Sequence, residues 1–367
     1  MRATRRPTSP ALTGALGLAA MLAGTLVALS PTGPAFAGDR ADAPRAPRAS
    51  GVVSRAVRIA VENNNETPVA CAADQRSYTL RGRLVGPRRE VLGSNITRAN
   101  VLVHDLATGS WFWNLRSHPD YDYAGRLAAH GETSLVLDRL GYGASRMPNG
   151  DATCLGAQAD MLHQVVQHLR SGRYHFVGSD RAVPTAQHVV LHGHSVGAAI
   201  AELEAGTYDD VAGLVLMSWT DRGASQRAVD EASRQSGVCL GGQDHVRTGA
   251  SPKDYRRLLF VTAPAGVQRA ALAHRDGAPC GDALSLGQLT AASTLTTRQV
   301  EAPVLLLLGG RDALVRDGSA GQQRQAFDSA ASVTSHVVRG AGSALPLERS
   351  ASRTRARVLH WLAGLPG

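Results

Sequence analysis

The segment that most constrains this chain is Gly193-His194-Ser195-Val196-Gly197, because it joins an unbroken apolar run, HVVLH over 188–192, to the helix-forming stretch AAIAELEAG. A run of that kind reads as a buried strand of a mainly parallel sheet, and the stretch after it as a helix. Joining the two within five residues demands a turn so sharp that the serine is strained and its flanking positions are best filled by glycine. The Ser195 hydroxyl is then presented at the edge of a sheet, with the partial positive charge of a helix amino terminus beneath it. Such a pentapeptide also arises by chance in a chain with 39 glycines, so the flanking strand and helix give it its weight.

The same grammar extends along the chain. Tyr78 to Val85, NVLVHD over 100–105, SLVLD over 134–138, LVLMS over 214–218 and the run from Val304 to Leu308 read as further strands, with Val333 to Val338 as an edge. Met161, Leu162, Val165, Val166 and Leu169 recur at helical spacing and suit a helix lying on the sheet. Strands alternating with helices predict an α/β class with a mostly parallel central sheet flanked by helices. Residues 222–297 lack a buried strand and carry short amphipathic patterns, so they read as a helical cap insertion. The expected core is therefore 71–221 with 298–367.

The amino terminus is of another kind. Arg2, Arg5 and Arg6 precede an apolar run from Ala11 to Leu29, and Ala35-Phe36-Ala37 offers small residues for cleavage. Residues 1–37 thus read as a signal peptide, implying a secreted or extracytoplasmic protein with no stable membrane insertion after cleavage. Residues 38–70, rich in Ala, Pro, Arg and Asn, read as a flexible arm or linker. Cys71, Cys154, Cys239 and Cys280 all follow the cleavage site, and their even number predicts two disulfides. The preferred pairing is Cys239 with Cys280, leaving Cys71 and Cys154 to tie down the amino-terminal strand. No CxxC pair or close Cys/His spacing points to a metal, and no cofactor motif is present.

The formal charge of +9 includes the three early arginines, and the remaining basic residues are scattered arginines with Lys253 the lone lysine. That distribution is a solvated, mildly basic surface and not a nucleic-acid-binding stripe.

Several motifs together resemble the α/β-hydrolase superfamily from about Tyr78 to Leu365. They are His104-Asp105 after the NVLV strand, Asp138-Arg139-Leu140-Gly141-Tyr142-Gly143-Ala144-Ser145, the pentapeptide itself, and Leu308-Gly309-Gly310-Arg311-Asp312. The resemblance implies an α/β-hydrolase fold with Ser195 as nucleophile, the amides of Leu106 and Val196 as oxyanion donors, and Asp312 as the acid that orients a base. Asp221 is the alternative acid. Trp111 and Trp113 are expected to line an acyl or aryl pocket.

Two positions depart from the family pattern. Asp105 stands where the family has a glycine, and its carboxylate either points away or sits near the oxyanion. Ser343, in Gly340-Ala341-Gly342-Ser343, stands at the position of the catalytic histidine, and a hydroxyl cannot take a proton near neutrality as imidazole does. His104, His192, His194, His336 and His360 are not expected to replace it. The implied function is a serine hydrolase of esters or similar small acyl compounds; the alternative is a catalytically impaired pseudo-hydrolase that binds a ligand or protein partner.

Overall fold

The apolar runs fold as neighbouring strands because, buried on both faces, they have no alternation to spend on solvent. The computed structural model describes residues 51–365. Within them lie β1 (Val52–Glu62), β2 (Ser77–Pro87), β3 (Asn95–Val103), β4 (Thr133–Asp138), β5 (His175–Phe176), β6 (Thr185–His194), β7 (Gly213–Met217), β8 (His245–Val246), β9 (Ala278–Pro279), β10 (Val304–Gly309) and β11 (Val333–Val338). Nine form one sheet in the order β11-β10-β7-β6-β3-β4-β2-β1-β5, and β8 pairs with β9 alone. Every pairing from β11 across to β4 is parallel. The β4–β2, β2–β1 and β1–β5 pairings are antiparallel.

Successive side chains of these strands feed two different cores. Val101, Leu135, Leu214 and Leu306 pack with the helices Leu155–Ser171, Val196–Tyr208 and Leu286–Thr296, whereas Leu102, Val136, Val215 and Leu305 pack with Tyr123–Ala128, Pro252–Leu259 and Ala351–Leu362. That alternation is the period of two of a strand. The helix Leu155–Ser171 carries the predicted stripe inward and stops at Gly172, whose φ of 67° closes it in the left-handed region.

The chain enters the sheet centre at β3, moves outward to β4, then crosses back to lay β6 on the other side of β3. In open α/β sheets, ligands bind in the crevice outside the strand carboxyl ends at such a reversal. The loops after β3 and β6 border that crevice, and they carry Asp105 and Ser195.

The expected arm needs correction. Its residues 38–50 and the 1–37 leader lie outside the described residues, but Val52–Glu62 is a regular strand paired with β2 along its whole length. Val57, Ile59 and Val61 are buried, while Arg58, Ala60 and Glu62 face outward. The pairing has a physical reason: β1 covers β2, which would otherwise leave an open edge. Cys71 is bonded to Cys154 and Cys239 to Cys280.

The segment 222–297 contains the helices Gln226–Leu240, Pro252–Leu259, Ala265–Ala273, Cys280–Leu284 and Leu286–Thr296. No helix among the described residues is long and apolar enough to cross a membrane.

The Cys71–Cys154 bond closes a loop of 83 residues in sequence, long enough to restrict the unfolded chain strongly. Replacing both by serine is expected to lower the unfolding free energy by about 3–5 kcal/mol in urea titrations. An unchanged midpoint would show that β1 and β2 hold this end unaided.

Candidate active site

Ser195 follows β6 directly and caps the helix Val196–Tyr208 with φ 51° and ψ −122°. A non-glycine residue held there costs about 1–3 kcal/mol, which the surroundings must over-determine. They do so by contact. A Cβ on Gly193 would fall 2.2 Å from Ala198 Cα, and one on Gly197 would fall 2.4 Å from the Val103 carbonyl oxygen. The Ser195 N–H donates to the Met217 carbonyl at 2.8 Å, fixing the turn to β7 as well.

A cavity of about 640 Å³ opens over this turn, lined by Ser195, Val196, Asp105 and Leu106. Its far wall comes from the helix Gln226–Leu240 through Ala228, Val229 and Ala232, with Leu284, Leu286 and Leu314 beside it. The surface is mostly apolar and suits an uncharged ligand with a small polar group near the serine. Among the described residues, the lining contains no histidine.

Asp105 turns inward. Its Oδ1 accepts from the Val196 N–H at 3.1 Å, and its Oδ2 accepts from the Ala107 N–H at 3.3 Å. Val196 was the expected oxyanion donor, so a resident carboxylate oxygen occupies the direction in which a developing negative charge would bind. The loop is braced by the Asp105 N–H donating to Thr108 Oγ1 at 3.1 Å. Leu106 stands beside it in the wall.

The turns after β10 and β11, where the acid and base were expected, approach closely, since a Cβ on Gly309 would lie 2.3 Å from the Gly342 carbonyl oxygen. Asp312 Oδ1 accepts from the Leu314 N–H at 2.9 Å. Its Oδ2 is buried and has no hydrogen-bond partner among the described residues. Burial pushes this carboxyl up to about 6, and the Asp105 charge adds to the effect.

Ser343 is fully buried and faces away from the cavity. Its Oγ lies 3.3 Å from His194 Nε2, and its carbonyl accepts from Ser218 Oγ at 2.7 Å. His194 stacks on Phe112 at 4.3 Å between ring centres, and burial lowers its basicity.

The other histidines are accounted for in the same way. His192 is held between Tyr123 Oη at 3.0 Å and Asn100 Oδ1 at 2.9 Å, with burial pushing it down to about 3. His104 Nε2 accepts from the Arg139 N–H at 3.1 Å, so its Nδ1 donates to the Asp105 carbonyl and burial keeps the ring neutral. His336 lies on β11 and His360 on the last helix, and neither lines the cavity.

Three further residues are placed otherwise than in a pocket or relay. Trp113 is fully buried against Phe112 and Tyr123, and Trp111 stacks on His274 at 5.6 Å, so the expectation that they line the pocket is corrected. The run after β3 curls back under the sheet, where large rings fill core volume. Asp221 is committed to Trp219 Nε1 at 3.0 Å and Thr297 Oγ1 at 2.8 Å, beside Glu202, whose carboxyl burial raises far above its ordinary range.

The run from Asp138 to Ser145 proves to be scaffolding for the site. Asp138 accepts from the Ser110 N–H at 2.9 Å and the Ala144 N–H at 3.0 Å, pinning the loop that follows Asp105. Arg139 forms a buried ion pair with Asp282 at 2.8 Å, which ties this run to the helix Cys280–Leu284.

An acid whose carboxyl rises on folding binds its proton more tightly in the native state. It therefore imposes no penalty below 3.8, an increasing one as pH climbs through about 6, and the full penalty above. Asp312→Asn is accordingly expected to stabilise the fold by about 1–3 kcal/mol at pH 8 and negligibly at pH 4, read from denaturant melts at both pH values. Equal effects at the two pH values would contradict this.

Comparison with known proteins agrees with this architecture. The chain matches the alpha/beta hydrolase family over residues 101–357. No curated protein matches it by sequence. Among solved structures it is similar to a malate-bound thermophilic esterase from Thermogutta terrifontis, at 19% identity and TM-score 0.56, covering 82% of this chain and 98% of that one. It is also similar to a monoacylglycerol lipase from Paleococcus ferrophilus, at 18% identity and TM-score 0.54, covering 73% and 96%. An E-2-(acetamidomethylene)succinate hydrolase gives 18% identity and TM-score 0.53, covering 78% and 96%. At such identities the likeness is one of fold. With the matched segment spanning most of the sheet and its helices, the chain belongs to the alpha/beta hydrolase family.

Proposed function

We propose that this protein is an extracytoplasmic hydrolase of uncharged esters or similar small acyl compounds, with Ser195 as the acyl-accepting nucleophile. The observation that carries this reading is the strained Ser195 turn at the floor of a largely apolar cavity of about 640 Å³. Attack by Ser195 Oγ on a carbonyl would place the developing oxyanion toward the Val196 and Leu106 amides, and the Asp105 carboxylate must leave that position first. The two disulfides and the leader-like residues 1–37 support a location outside the cytoplasm.

Turnover on this reading is slow. Removing one member of a serine relay costs about 10⁴–10⁶ in rate, while donors and binding retain about 10³–10⁴ over water. Asp105 and Glu231 are the titratable groups of the cavity wall, so proton removal from Ser195 falls to Asp105 or a water it orients.

A second reading, ligand binding without turnover, is favoured by the Asp105 contact on Val196 together with the buried Ser343. The readings part on a covalent probe. Fluorophosphonate is expected to label the wild-type protein and not Ser195→Ala, and a wild-type protein that resists labelling would favour binding alone.

The relay can also be rebuilt. Ser343→His is expected to raise hydrolysis of a p-nitrophenyl ester by at least about 100-fold, and adding Asp105→Gly to raise it further. An unchanged rate in the double variant would remove position 343 from the relay.

A further inference from the structure

Away from the Ser195 cavity, three side chains converge where two helices of the same sheet face meet. His163 lies on Leu155–Ser171, Glu204 on Val196–Tyr208, and Asp210 just beyond that helix. His163 Nδ1 is 3.0 Å from Asp210 Oδ2 and 3.8 Å from Glu204 Oε1, and one ligand atom from each residue lies within 4.8 Å of the others. Glu204 sits nine residues after Ser195, about 13 Å further along the helix axis.

Glu204 is the unusual member. It is fully buried, and among the described residues neither of its carboxylate oxygens has a hydrogen-bond partner. Buried carboxylates are normally paired or hydrogen-bonded, because losing hydration without compensation is costly. An orphaned one aimed at an imidazole nitrogen and a second carboxylate calls for a cation or a proton between them.

The surroundings are arranged as a ligand set would need. The His163 ring is fixed by stacking on Tyr208 at 3.9 Å and 14°. Gln167 Nε2 donates to Asp210 Oδ2 at 2.5 Å, orienting that carboxylate from outside. His163 is 25% exposed and Asp210 11%, which leaves a way in from solvent.

We propose that His163, Glu204 and Asp210 form a binding site for one divalent transition-metal ion, with zinc the best match. One imidazole nitrogen and two carboxylates suit tetrahedral zinc with water as fourth ligand, whereas calcium would require six or more oxygens. The ion would cross-link two helices that cover one face of the sheet.

Calorimetric titration of the purified, chelator-treated protein with zinc chloride at pH 8 tests this. The expected result is one zinc per chain, a raised Tm, and affinity weakened at least about tenfold in both Glu204→Gln and His163→Gln, while exposed His130→Gln binds as wild type. Circular dichroism checks that each variant is folded, and the partly exposed His163→Gln and Asp210→Asn carry the test should the buried Glu204→Gln fail. Absence of binding, or binding that none of the three cluster variants weakens, would overturn the proposal and leave a proton as the occupant.

Discussion

The structure depends on a crowding of backbone where β6 turns into the helix behind it. At Gly193 and Gly197 the strand, the helix and β3 approach until no Cβ fits, and the serine between them is forced into a left-handed conformation. That strain is tolerable because β7 is buried throughout and β3 over its last five residues, which makes the sheet stiff here. The position of the cavity follows from this point, since β3 and β6 release their loops into the same crevice.

Around the turn, the electrostatics form a consistent set. Asp105 lines the cavity beside Ser195, Asp312 lies close enough to feel its charge, and no histidine stands in the cavity wall among the described residues. Burial and, to a lesser degree, the Asp105 charge push the Asp312 carboxyl up to about 6, so that near neutral pH this acid carries either a proton or a charge penalty. Ser343 has meanwhile turned its hydroxyl toward His194, a ring too deeply packed to gain charge easily.

Much of this was legible in the sequence where local pattern and tertiary role coincide. The continuous apolar runs could only be central strands, and the glycine spacing marked the turn, so the positions of Ser195, Asp312 and Ser343 in the fold could be read directly. The cysteine pairing followed from which segment each cysteine occupies. Strand β1 was hidden because Ala, Pro and Arg dominate its surroundings, although Val57, Ile59 and Val61 do alternate. The tryptophans misled because an aromatic after a strand fills either core or pocket, and only packing decides. His163, Glu204 and Asp210 carry no spacing signal at all, since a fold had to bring two helices together before they could meet.

The roof of the cavity is attached in an unusual way. Its long helix, Gln226–Leu240, buries little besides Gln235 and Cys239, leaves Val229 and Leu240 to solvent, and belongs to a satellite cluster of four buried residues. Besides side-chain hydrogen bonds such as Gln235 to Thr248, the Cys239–Cys280 bond and the Arg139–Asp282 pair next to it help fasten that region. Apolar adhesion weakens on cooling, but a covalent staple does not. The chamber should therefore keep its shape in the cold yet slacken under a thiol reductant, making its contents answerable to redox conditions in a way the sheet beneath is not.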